Sequence, residues 1–151
     1  MEYLAKLFPE WAVMIIALLS WMLFSFIEGY REAVFFYKSM LIDKPLVTPN
    51  DFLCRLNIHT VFTITRICVW IPFFFFTPWL FVIGLAFLFP YIHDGSLYLY
   101  RNVYDSNVYK ARFFSEPSKT SNAKVDFSLN VRTGMFVIGV WAIIFSFIHQ
   151  L

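Results

Sequence analysis

The chain has 151 residues and a formal net charge of only +2; 60% of its residues are apolar, 15% are charged, and 20 are phenylalanine. A soluble domain this small has a large surface for its volume and needs more polar side chains than these to cover it. Lipid removes that requirement, because apolar side chains can then face outward. The low net charge excludes nucleic acid as an expected partner, and the partner that composition does imply is the lipid bilayer.

The chain opens with a polar stretch in which Lys6 stands between Glu2 and Glu10. With no basic leader and no small-x-small cleavage site after the apolar run, we read it as leading into a retained first span over 9–40. Pro9 suits a first helical turn. Trp11 to Ile27 is almost wholly apolar, and the pattern continues unbroken through Glu28-Gly29-Tyr30-Arg31-Glu32 to about Met40. A helix of that length is about 45 Å long. The hydrocarbon core is roughly 30 Å thick, so the second half projects from the membrane. Pro45 and Pro49 mark a loop over Asp43–Asn50.

A second span is expected over 52–76, kinked near its end by Pro72. The apolar stretch Ile67–Ile92 is too long for one crossing and carries Pro78 in its middle. A hairpin at Phe76–Pro78 therefore separates a third span over 79–103. Pro90 should kink or loosen that span, and Tyr98, Tyr100, Arg101 and Tyr104 give it a polar end. Residues 105–130 read as a hydrophilic loop, and a short fourth span covers 132–150, with Gly134–Ile148 as its apolar part. The expected fold class is all-α: a polytopic membrane protein with four transmembrane helices in a small bundle, forming one membrane domain over 1–151.

Basic residues assign the sides. Four spans place the termini and the Thr77-Pro78 turn together, with Lys6 as the only basic residue there. Arg31, Lys38, Lys44, Arg55, Arg101, Lys110, Arg112, Lys119, Lys124 and Arg132 fall on the other side. Basic loops stay cytoplasmic. Both termini are therefore expected outside, and the extended first helix and the 105–130 loop in the cytoplasm.

Charges inside the spans are the informative anomaly, since each costs about 2.5–3.5 kcal/mol near a bilayer centre. Glu28, Arg31 and Glu32 are spaced i, i+3, i+4 and share a helix face. Arg55, His59, Thr63 and Arg66 form one face of the second span. His93 and Asp94 lie on the third, with Asp94, Tyr98 and Arg101 aligned if that helix continues past Gly95. All lie at one depth, so a convergent site for an ion or a polar ligand is expected, with candidates Glu28, Arg31, Glu32, His59, Arg66, His93, Asp94 and Arg101. Glu28 and Glu32 would pair with Arg66 and Arg31, and either histidine could share a proton with a carboxylate. Arg31, Arg55 and Arg101 are near enough to span ends to snorkel to headgroups. Arg66 is not.

The order His59, His93-Asp94, Asp126 resembles that of the HD metal-dependent phosphohydrolases, which would imply a divalent-metal site. That family is a soluble helical bundle, and here the first three residues fall at membrane boundaries, so no metal site is expected. The two cysteines, Cys54 and Cys68, would lie about 21 Å apart on one helix, too far to form a disulfide. No nucleotide, phosphate-loop, nucleophile-elbow or zinc motif occurs, and no cofactor is implied. GxxxG is also absent, so no close helix dimer is signalled. The tryptophans are expected in interfacial belts or facing lipid.

Three functional classes are consistent with these residues. The first is an inner-leaflet site for an ion, proton or polar ligand, in a single copy or an oligomeric pore. The second is a membrane-embedded enzyme acting on a lipid headgroup or isoprenoid phosphate, with His59 or Glu32 as base and Arg31 and Arg66 as the phosphate clamp. The third is an accessory subunit of a membrane complex, whose basic Lys110–Arg132 loop docks a soluble partner.

Overall fold

The computed structural model describes residues 9–41, 58–71, 73–116 and 127–149, without the side chains of 36–41, 58–63, 74 and 76. The loop expected at 43–50, the start of the second span with Cys54 and Arg55, and Asp126 lie outside the described residues.

All regular structure among the described residues is helical: α1 Glu10–Leu41, α2 Ile58–Trp70, the single turn α3 Phe73–Phe76, α4 Trp79–Tyr104 and α5 Leu129–Ile148. Three of these, α1, α4 and α5, are long and apolar enough to cross a membrane. Together with the composition, they make this an integral membrane protein. α1 has 32 residues and is about 48 Å long.

Helix α2 stops at Trp70, and the turn α3 carries the chain to Thr77, whose hydroxyl donates to the Phe73 carbonyl at 2.7 Å. Pro78 then precedes α4 in an extended conformation, as a residue without an N–H can at a helix start. α4 continues as helix through Pro90 to Tyr104; in a bundle, neighbouring helices can offset the backbone bond that a proline lacks.

The middle element is α4, held between α1 and α5. The Trp21 indole donates to the Leu85 carbonyl at 2.8 Å, the Ser96 hydroxyl donates to the Phe26 carbonyl at 2.6 Å, and the rings of Tyr30 and Tyr100 meet at 4.6 Å. Partner numbers rise together, so α1 and α4 run parallel. On the other side, Phe81 meets Phe147, Tyr91 meets Phe136, and the Arg132 guanidinium lies over Tyr98. Those numbers run oppositely, so α5 is antiparallel to α4. Arg66 beside Glu28 and Glu32, with Phe73 against Trp21, makes the α2–α3 segment antiparallel to α1.

Lipid gives helices little hydrophobic reason to associate, so close packing and polar contacts must do it. Three glycines provide the approach. A Cβ on Gly29 would collide with the His93 carbonyl and lie 2.9 Å from Ser96 Cβ. A Cβ on Gly84 would lie 2.9 Å from the Gly139 carbonyl, and one on Gly139 would lie 2.8 Å from that of Gly84. The core is Met14, Ala17, Trp21, Phe81, Leu85, Leu88, Ile92 and Ile143. Outward faces are apolar, with Ile16, Leu19, Leu23, Ile138, Trp141 and Phe145 all exposed, as expected of surfaces that meet acyl chains.

Trp21 departs from the expected tryptophan placement. It is buried, whereas Trp11, Trp79 and Trp141 are exposed. Its indole bridges two helices, and no linear pattern marks that role.

Candidate functional site

Two turns of α1, one of α4 and Arg66 of α2 build a polar cluster within otherwise apolar packing. Glu28 and Glu32 share the α1 face that meets α4, and they are only 3% and 7% exposed. Gly29 lies between them and lets α4 approach closely enough for His93, itself 4% exposed, to reach across.

Arg66 links the helices. Its Nη2 lies 2.8 Å from Glu32 Oε2 and 2.9 Å from His93 Nε2, and its Nε lies 3.6 Å from Glu28 Oε1. Glu28 Oε1 also receives Arg31 Nη2 at 2.8 Å. His93 Nε2 lies 3.0 Å from Glu32 Oε2, and its Nδ1 lies 2.9 Å from Asp94 Oδ1. Phe89 forms one wall: the His93 ring stacks on it at 4.8 Å and 18°, and the Arg66 guanidinium lies 5.1 Å from its centroid. Burial makes the contacts of Arg66 and His93 with Glu32 stronger than at a surface, and the loss of one partner costlier.

Both ring nitrogens of His93 thus face carboxylates, while Nε2 also faces Arg66. Neutral His93, with its proton on Nδ1, donates to Asp94 and accepts from Arg66. Cationic His93 donates to Asp94 and Glu32 together, and Arg66 then serves the glutamates alone. One proton separates the two arrangements. Formal charges count the same way. Glu28, Glu32 and Asp94 are opposed by Arg31 and Arg66, so the cluster sums to −1 with neutral His93 and to zero with cationic His93.

Of the residues expected to converge, Glu28, Arg31, Glu32, Arg66, His93 and Asp94 do meet. The pairing is more shared than expected, because Arg66 touches both glutamates and Arg31 only Glu28. Asp94 is inside α4, which continues past Gly95 to Tyr104. His59 lies in the first turn of α2, with its side chain outside the description. Arg101 is eight residues beyond His93, about 12 Å along the axis, and its guanidinium lies 5.6 Å from the centre of the Tyr109 ring. Both arginines proposed as a phosphate clamp, Arg31 and Arg66, are engaged by carboxylates of the cluster. Among the described residues no set of three His, Cys, Asp or Glu is placed to hold a metal.

Sequence reasoning missed the apolar neighbour of this cluster. Trp21, Arg66, Ile67, Trp70, Ala86 and Phe89 line a cleft of about 160 Å³ between α1, α2 and α4. Its residues come from three helices, each contributing a common core type, so no linear motif reveals it.

Compared with protein-family models, curated proteins and solved structures, the chain matches none of them. The functional reading rests on its own geometry.

Proposed function

We propose that this is a small multi-span membrane protein whose inner-leaflet polar cluster takes up and releases one proton, with His93 between Glu32 and Asp94 as the exchanging group. The observation that carries this reading is the double engagement of His93. Both ring nitrogens lie within 3.0 Å of carboxylate oxygens, and the nitrogen facing Glu32 is also 2.9 Å from Arg66. An ionisable group withdrawn into a membrane bundle and held between opposing charges is where proton relays are built.

We infer four crossings. α1 and α4 run parallel, so two such spans need the chain to cross back between them, and only 42–78 lies there. α2 has 13 residues, about 20 Å of rise, so it completes a crossing only with α3 and the chain before it. With the basic residues on the Arg101–Arg132 side, the positive-inside rule makes that side cytoplasmic and puts both termini outside. His93 is five residues from Tyr98, which is level with Arg132 near the start of α5. The cluster then sits about 7.5 Å below the inner boundary.

The test is direct. Protein carrying ¹⁵N-histidine in nanodiscs is titrated, and the His93 ring nitrogens are followed by NMR. A single protonation step that moves in Glu32→Gln and in Asp94→Asn is expected. A His93 ring that stays in one state across the accessible pH range defeats the proposal. Sidedness is read from single cysteines at Thr77 and Lys110 in an otherwise cysteine-free protein. An impermeant maleimide should label them from opposite faces, and labelling from one face rules out the four-crossing arrangement.

A further inference from the structure

Two buried arginines, Arg101 and Arg132, lie outside the proton site. Arg132, in the first turn of α5, is 0% exposed. Its Nη2 donates to the Ser115 carbonyl at 2.6 Å, and its guanidinium lies 5.1 Å from the centre of the Tyr98 ring. Nε and Nη1 are buried without an acceptor among the described residues. Those two atoms carry three of the five guanidinium N–H bonds. A buried charge held, among those residues, by one carbonyl and one ring face is poorly compensated.

Among the described residues, the acidic groups of this end accept from backbone N–H groups. Asp105 accepts from the backbone N–H groups of Asn107 and Val108, and Glu116 accepts from that of Leu129. Within 98–116 and 127–134, four basic residues (Arg101, Lys110, Arg112, Arg132) face these two acids, a formal excess of +2. Tyr98, Tyr100, Tyr104 and Tyr109 gather at the same end of α4, and tyrosines at that density mark the headgroup level of a membrane. A guanidinium at that depth, with directed N–H groups to spare, suits a phosphate oxygen.

We propose that Arg132 is the anchor of a phosphate-binding site at the basic end of the bundle, roofed by the 105–116 segment and walled by Tyr98. The occupant is a phosphate group, carried by an anionic lipid headgroup or free in solution. The bonds Arg132–Ser115 and Asn102–Tyr109, the latter 2.6 Å, fasten the roof. Phosphate reaches Nε and Nη1 when the Ser115 end lifts. This site is independent of His93, and failure of either proposal leaves the other standing.

The experiment is thermal unfolding of the whole purified protein in a neutral detergent, titrated separately with short-chain phosphatidic acid, short-chain phosphatidylcholine and inorganic phosphate. At a hundredfold excess over Kd, a bound ligand raises Tm by roughly 5–10 °C. We expect that rise with phosphatidic acid, its loss in Arg132→Gln, and its retention in Lys6→Gln, which removes one positive charge at the other end of the chain. An equal rise with inorganic phosphate that Arg132→Gln also abolishes supports the site with free phosphate as occupant. Equal shifts in wild type and Arg132→Gln, no shift at all, or an equal shift with phosphatidylcholine overturn it. If Arg132→Gln does not accumulate, native mass spectrometry of the wild type decides. Retention of one phosphatidic acid per chain in preference to phosphatidylcholine supports the site, and indifference between the two overturns it.

Discussion

Among the described residues, Arg66 is the one side chain that touches both buried glutamates, and replacing it by methionine removes both contacts. Glu28 keeps Arg31, Glu32 keeps His93, and the cluster's formal charge falls from −1 to −2 with His93 neutral. Arg66 is 24% exposed and Glu32 9% at the side chain, so water screens the loss little. Removing one partner of a buried pair costs about 3–5 kcal/mol, which corresponds to a Tm fall of roughly 6–20 °C in a chain of this size. The assay is a double-mutant cycle in nanodiscs, with Arg66→Met, Glu32→Gln and the combination unfolded in parallel. If the two side chains share a buried contact, the combination loses less than the sum, with a coupling of about 1–3 kcal/mol. Strict additivity, or an Arg66→Met protein as stable as wild type, refutes the claim that this arginine balances buried charge.

Other substitutions separate packing from charge. Gly29→Ala pushes a methyl group into the α4 backbone at His93 and Leu97, which cannot yield as a side-chain tip can; a loss of about 1–3 kcal/mol in unfolding measurements is expected. Gly134→Ala meets nothing within 4 Å, so the same assay should show no loss, or a gain of up to about 1 kcal/mol from helix propensity. Arg31→Gln breaks an i, i+3 pair whose arginine is 47% exposed, and it should cost under about 1 kcal/mol. Trp21→Phe removes the indole donor to the Leu85 carbonyl; it should lower stability by about 0.5–1.5 kcal/mol, together with the cost of the volume lost.

The helical class and the three apolar spans are legible because lipid leaves composition few alternatives. The grouping of Glu28, Arg31, Glu32, Arg66, His93 and Asp94 is legible too, since charges this expensive have few tolerable positions. Their pairing was not legible. Whether Arg66 serves Glu28, Glu32 or both depends on helix rotation and separation, and Gly29 sets the separation through one missing Cβ. Pro90 lacks a backbone N–H, a local cost that does not end α4. Arg132 looked like an ordinary loop-end cation. Its burial follows from residues 105–116 folding back, where Ala111 packs with Ala33, Leu97 and Tyr98, and periodicity carries no information about such a return.

Ion pairs inside a bundle can exist only to fix helix register, and the stoichiometry here bears on whether these do. A network serving register alone is best built with equal numbers of each sign, since any surplus charge in a low-dielectric interior is a cost without a structural return. Here three carboxylates meet two arginines, and the sixth member is a histidine, the side-chain type whose unperturbed pKa lies nearest neutral pH. Its two nitrogens face two different carboxylates, while Arg66 approaches the nitrogen shared with Glu32 and competes for that oxygen. A lysine in place of His93 would close the charge balance permanently, and a glutamine would leave it permanently open. Histidine leaves the balance to the proton, so the same residues that join α1, α2 and α4 are sensitive to whether it is there.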